Sequence, residues 1–237
     1  MLMQAHPFPG AESDQPFCAG VLISDAVSVL LTLGDTDTWT ERGGHARIPI
    51  GGVGGGQVPG ETIDRCAMRE AAEELGCPVR LASSRITIVE DPYGRLSLAT
   101  SIAPMAPLLH QVQRRVSAAP FAPGLPPGPL LHCALYRAVS LQNPRPADVP
   151  ALVWIPWTVL LSMGRGGIKL RLLEQAGGRI LSTHRMPPEA DLYIPSPSLQ
   201  EMLIRVCNRF GRDAVVGSPV SPGPRESTLA SLEELGP

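Results

Sequence analysis

Charge is scarce in this chain of 237 residues and nearly balanced where it occurs. Asp, Glu, Lys and Arg make up 18%, with a formal net charge of −2. No global field therefore recruits nucleic acid, although a bound metal could still supply positive charge to a nucleotide locally. C-x-x-C spacing is absent. The five cysteines, at 18, 66, 77, 133 and 207, are odd in number and read as buried or free thiols of a reducing compartment. The opening MLMQAHPFPGAESD lacks a basic segment followed by an apolar run, so no signal peptide is expected. The most apolar later stretch, residues 149–163, is too short to span a bilayer and contains two prolines. No internal repeat or zinc-ligand spacing is visible. These absences predict a soluble cytoplasmic protein without a nucleic-acid or membrane partner.

What is abundant is proline, 26 residues, and glycine, 24, against an apolar content of 43% that suffices for a packed core. Residues 1–16 read as a flexible lead-in. FCAGVLI (17–23) and VSVLLTL (27–33) read as a β-hairpin, and RIPI (47–50) as a short strand. GGVGGGQVPGE (51–61) is too rich in glycine and proline to predict a regular element. Thr62 to Leu75 is helical in pattern, with Thr62 as N-cap, Gly76 as left-handed C-terminal cap, and one apolar stripe of Ile63, Cys66, Ala67, Ala71 and Leu75. VRLA (79–82) and RITIVE (85–90) read as strands, followed by a DPYG turn (91–94). The proline-rich residues 103–129 read as an insertion with a short helix over 108–116. LLHCALYRAVSL (130–141) and LVWIPW (152–157) read as strands, and residues 198–210 as an amphipathic helix. Residues 166–217 would form a C-terminal extension on a domain spanning 17–165. Residues 218–237 read as a disordered tail, with at most a turn or two of helix over 229–236.

The most specific feature is GGQVPGETIDRCAMREAAEELGC, residues 55–77. Glu73 and Glu74 follow Glu70 by three and four residues, so a helix places all three carboxylates on one face, away from the apolar stripe. Glutamate runs are ordinarily solvated helix surface, and the repulsion on such a face costs only a few tenths of a kcal/mol per pair, roughly. The glycine-rich loop before the helix lets backbone approach a phosphate closely. Oxygen-only ligands suit hard cations, held by few carboxylates plus water and substrate phosphates.

Gly55, Glu61, Arg69, Glu70, Glu73, Glu74 and Gly76, with apolar Ala71 and Cys77, fit G-x5-E-x7-R-E-U-x-E-E-x-G-U, where U is apolar. This segment resembles the Nudix box, and a chance match of seven letters at roughly one in twenty each is very rare. The resemblance implies an α/β fold, the family's α/β/α sandwich with a mixed sheet. It also implies Mg²⁺-dependent hydrolysis, Mn²⁺ serving as well, of a nucleoside diphosphate linked to another group. By the same match Glu70, Glu73 and Glu74 would bind the metal, Arg69 would orient the catalytic glutamate, and Glu61 would be a supporting carboxylate. Gly54 and Gly55 would approach the substrate's phosphates.

Glu70 is the first candidate for the catalytic base, and many family members use a later acidic residue instead. Between Asp91 and Asp148 the chain has no Asp or Glu, which leaves Asp148 or His110 as the alternatives. Pro92 resembles a spacing of ADP-ribose pyrophosphatases and Tyr93 one of dinucleoside-polyphosphate hydrolases, while a plain turn accounts for both. Tyr93 joins Trp39, Trp154 and Trp157 as an aromatic that could stack on a base, and Arg114 and Arg115 could reach phosphates. A small nucleotide-diphosphate partner follows, and a homodimer stays open. The rival readings are a ligand sensor or transcriptional regulator without turnover, and a scaffold binding partners through its proline-rich segments.

Overall fold

The computed structural model describes residues 15–100, 104–114, 127–163 and 167–216. The chain begins with a hairpin of β1 (Phe17–Ser24) and β2 (Ser28–Leu33), then β3 (Thr40–Arg42), β4 (His45–Gly51) and β5 (Val53–Gly56). Helix α1 (Ile63–Leu75) follows, then β6 (Val79–Ala82), β7 (Ile86–Glu90), β8 (Leu96–Thr100), β9 (Leu109–Arg114) and β10 (Leu130–Ser140). The second half holds β11 (Ala151–Pro156), α2 (Trp157–Met163), β12 (Ile168–Lys169), α3 (Leu170–Gln175), β13 (Arg179–Ser182), β14 (Asp191–Tyr193), α4 (Leu199–Phe210) and α5 (Asp213–Val216).

The fold is α/β. All described strands join one mixed sheet whose longest path runs β12-β14-β4-β2-β1-β10-β9-β7-β8. The β1–β10, β7–β9 and β4–β14 pairs are parallel, and the remaining pairs are antiparallel. The turn of the first hairpin is set by Asp25, whose Oδ1 accepts from the backbone N–H of Val27 and Ser28 at 2.7 and 2.6 Å. Burial alone would raise the Asp25 carboxyl, but those bonds outweigh it and hold the group below its usual range.

Side chains alternate across the central strands. Phe17, Ala19 and Val21 of β1, with Ala134 and Tyr136 of β10, pack with the buried stripe of α1. On the opposite face Leu131 and Cys133 pack with Cys18 and Leu199, at the start of α4. The central strands thus carry a helix on each face. Strands β12 to β14 and α4 are built into the same sheet and core. No helix among the described residues is long and apolar enough to cross a membrane.

Two expectations are corrected. Residues 51–61 are not wholly irregular: β5 pairs antiparallel with β1, Gly55 opposite Ala19 and Gly54 opposite Gly20. Backbone hydrogen bonds hold this strand, so its want of side chains is no obstacle. A Cβ on Gly54 would lie 3.0 Å from the Ala19 carbonyl carbon, so the two strands approach as only glycine allows. The helix expected over 108–116 is instead strand β9, inserted between β10 and β7. Residues 115–126, and with them Arg115, lie outside the described residues, as do the lead-in up to residue 14 and the tail from 217.

Candidate active site

Helix α1 runs from N-cap Thr62, which makes no side-chain capping bond, to Gly76 at φ 59°. Its buried residues are Ile63, Cys66, Ala67, Ala71 and Leu75, as the pattern predicts. Ala67 and Ala71 are fully buried and small, which brings the helix close to the sheet. Arg69, Glu70 and Glu74 lie on the flank that meets β5 and the loop after it. The helix C-terminus is closed from another part of the chain, since Arg145 N–H donates to Leu75 O at 2.9 Å and Ala147 N–H to Glu74 O at 3.1 Å.

Arg69 is the hub of the cluster. Its Nε donates to Glu61 Oε1 at 2.9 Å and a terminal nitrogen to Glu61 Oε2 at 3.0 Å, a two-point fork. The other terminal nitrogen donates to Glu70 Oε1 at 2.7 Å and Glu73 Oε2 at 3.0 Å. A further bond at 2.8 Å goes to the Gly56 carbonyl. Burial alone would raise the Glu61 carboxyl, but the Arg69 bond and the Val58 N–H outweigh it and hold it low. Glu70 stays above its usual range because burial outweighs the same guanidinium, with Glu73 and Glu61 adding repulsion. Glu73 is 48% exposed, an outer member of the cluster.

Glu74 is the most strained electrostatically. Its Oε2 accepts from Gly54 N–H at 2.9 Å, yet burial pushes the carboxyl up to about 8. Glu70, Asp148 and Asp35 push it further in the same direction. Glu70 lies against the neighbouring glycine: a Cβ built on Gly55 would sit 2.6 Å from the Glu70 carboxyl carbon. Glu74 and Glu70 therefore meet β5 from the same helix, one against Gly54 and one against Gly55.

This donor set fits a hard divalent cation. Three glutamates share a single guanidinium while a fourth, Glu74, has only a backbone N–H, all potential ligands are oxygens, and that carboxylate is buried at a cost that a cation would relieve. Among the described residues no three His, Cys, Asp or Glu side chains converge as a closed cage would. A cation that keeps water and substrate oxygens needs only one or two carboxylates, which Glu70 and Glu74 provide.

Behind the same strand lies a cavity of about 240 Å³, on the face opposite α1. Gly54 and Gly55 form one edge, Leu131 and Cys133 the floor, and Leu199 and Gln200 of the α4 start the roof. The acidic cluster and the cavity thus share one strand edge.

Other candidate residues are dispersed. Tyr93 is 71% exposed in the β7–β8 turn, with the guanidiniums of Arg114 and Arg95 at 5.7 and 6.0 Å from its ring centre. Trp157 is buried and donates to Asp25 O, Trp39 donates to Gly34 O, and Trp154 lies under Arg179. None of these four aromatics lines the cavity. His110 is fully buried on the α1 side of β9, against His132. Asp148 lies near enough to Glu74 to raise it. Sequence reasoning missed Gln113 and Gln200, which line the cavity. Strand alternation over 109–114 would have shown Gln111 and Gln113 on one face.

No family model matches the chain, and no curated protein matches it. Among solved structures it is similar to the ORF135 protein of E. coli, with 16% identity over 59% of this chain and 72% of that one, TM-score 0.34. It is also similar to a MutT Nudix hydrolase from Burkholderia pseudomallei, with 19% identity over 59% and 81% and TM-score 0.31. A Nudix hydrolase from Nitrosomonas europaea shows 13% identity over 83% and 72%, TM-score 0.34. Likeness this loose does not superpose one site on another.

Proposed function

We propose that this protein is a Mg²⁺-dependent hydrolase of phosphoric anhydride bonds, acting on a nucleoside diphosphate linked to another group. The observation that carries the reading is the placement of Glu70 and Glu74, one helical turn apart on α1, against the Gly54–Gly55 backbone, with the uncharged cavity sharing that strand. Charge-seeking and ring-seeking surfaces thus adjoin, as a nucleotide requires. Bound at Glu70 and Glu74, Mg²⁺ or Mn²⁺ would neutralise diphosphate oxygens and acidify water.

The chain's own residues then have separable tasks. Gly54 and Gly55 let β5 close on β1 and let the Glu70 carboxyl lie against the strand, where a Cβ would stand in the way, and so set the edge at which phosphates would bind. Glu61 holds Arg69 by two bonds, so the guanidinium reaches Glu70 in one orientation. With Oε1 held by Arg69, Glu70 Oε2 takes the proton of the attacking water. A carboxyl raised by burial is a better base than a solvated one. Glu73, exposed and bonded to Arg69, would reach the cation only through water. Asp148 shapes the field at Glu74, and the buried His110 takes no part.

The test is a panel of ADP-ribose, nucleotide sugars, diadenosine polyphosphates, nucleoside triphosphates and NADH, assayed for monophosphate or phosphate release. Release that needs Mg²⁺ and stops in EDTA is expected from at least one class. Tight binding of a panel member without turnover would instead identify a ligand sensor.

A further inference from the structure

The cavity beside β5 contains no charged side chain among its lining residues. At about 240 Å³ it is smaller than the roughly 300–1,000 Å³ that takes a whole drug-sized ligand, so it suits one ring system rather than a complete dinucleotide. Its walls are apolar at Val53, Leu131, Leu135 and Leu199. Gln113 brings a polar group to it from the end of β9.

The amide of Gln113 is not free to turn. Its Nε2 donates to Gln111 Oε1 at 2.8 Å, and Gln111 Nε2 donates in turn to Glu90 Oε2 at 2.8 Å. The other oxygen of Glu90, a residue buried in the sheet, accepts from the Arg205 guanidinium of α4. The register explains the sequence of contacts: Glu90 lies opposite Gln111 on parallel strands, and Gln113 follows two residues along the same face. A carboxylate only accepts, so Gln111 must present its nitrogen to Glu90 and its oxygen to Gln113. Gln113 must then give its nitrogen to Gln111. Turning the Gln113 amide over would set oxygen against oxygen. Among the described residues, Gln113 Oε1 accepts no hydrogen bond.

We propose that Gln113 is the specificity-determining residue of this cavity, presenting a fixed acceptor that selects a ring carrying an amino group over one carrying an oxo group. The selection rests on the nucleotide reading above, which supplies phosphates anchored at β5 and hence a shared ring position. A freely rotating glutamine would satisfy either ring, whereas one locked through Gln111, Glu90 and Arg205 satisfies only the donor. Gln113 is then a reader at the ring, and Gln111, Glu90 and Arg205 are positioning residues.

Binding of two nucleotide pairs, ATP against ITP and CTP against UTP, tests this by calorimetry with Mg²⁺ present. The wild-type protein should bind the amino member of at least one pair about tenfold more tightly, since the locked carbonyl faces an oxo group unpaired in the other member. Gln113→Leu should bring that ratio to within about twofold. Glu90→Gln, which frees Gln111 to turn over, should lower the ratio while retaining affinity for the oxo member. A purely structural role would weaken both members equally and leave the ratio unchanged, which overturns the proposal. Equal wild-type binding within both pairs overturns it alone and leaves the nucleotide reading standing. Failure to bind any of the four overturns it too, and the nucleotide reading falls with it only if no member of the diphosphate panel is turned over.

Discussion

Gly55 is where one atom separates fold from chemistry. A Cβ there would meet the end of the Glu70 side chain, which is flexible, rather than backbone. The substitution Gly55→Ala should therefore cost little stability and much activity. Unfolding temperature should shift by only a few degrees, about the effect of 1 kcal/mol or less. Mg²⁺-dependent turnover should fall about 10²-fold through the displaced carboxylate, as parallel melts and initial rates would show. Arg69→Lys tests the hub, because one ammonium cannot reproduce the fork to Glu61 together with the bonds to Glu70, Glu73 and Gly56. Chemical denaturation should show a loss of about 1–3 kcal/mol, with turnover lowered as well. Glu74 predicts a pH effect with a definite sign. Its folded carboxyl is raised from 4.5 to about 8, so the metal-free native state binds the proton more tightly than the unfolded chain. In EDTA, the Glu74 contribution to stability should be full below pH 4.5 and be lost as pH rises through about 8, read as the difference in urea unfolding between wild type and Glu74→Gln. Mg²⁺ should restore stability chiefly at the high-pH end.

Elements differ in how clearly the sequence announces them. Helix α1 is legible because stripe, C-cap and charged face all agree, and the structure buries the same five residues. Strand β9 is not. Leu108, Leu109, Val112 and Val116 repeat with helical spacing, while the glutamines that mark the strand's other face look like solvated positions until Glu90 and Arg205 are placed beside them. That ion pair joins residues 115 positions apart, a separation no local pattern encodes. Strand β5 is hidden for the opposite reason: its pairing to β1 uses backbone and requires the absence of side chains. The C-terminal helix α4 was legible through its amphipathic period, and its start is fixed by Ser198, which accepts from Glu201 N–H at 3.1 Å. Ser198→Ala should lower stability by about 1 kcal/mol in urea unfolding. Ligand affinity should weaken with it, because the same turn roofs the cavity.

At the scale of the molecule, the last described segment completes the site rather than trailing from it. Strand β14 pairs with β4, β13 with β11, and α4 roofs the cavity whose opposite edge is β5. Arg137 of β10 ties the far end, donating to Val215 O at 2.7 Å and Ala214 O at 3.0 Å. The acidic motif near the start of the chain and the helix near its end therefore act on one strand edge from two sides. The box could be read from spacing alone, whereas the cavity could not, because its walls come from five separated stretches of chain. Under the proposed function Glu70, held by Arg69 beside Gly55, moves the proton in a metal-dependent hydrolysis. The most direct test of that role is single-turnover hydrolysis of the best diphosphate substrate by Glu70→Gln with saturating Mg²⁺, alongside circular dichroism and substrate affinity. A rate about 10²–10⁴-fold below wild type is expected, with fold and affinity preserved. Hydrolysis at the wild-type rate would contradict that role.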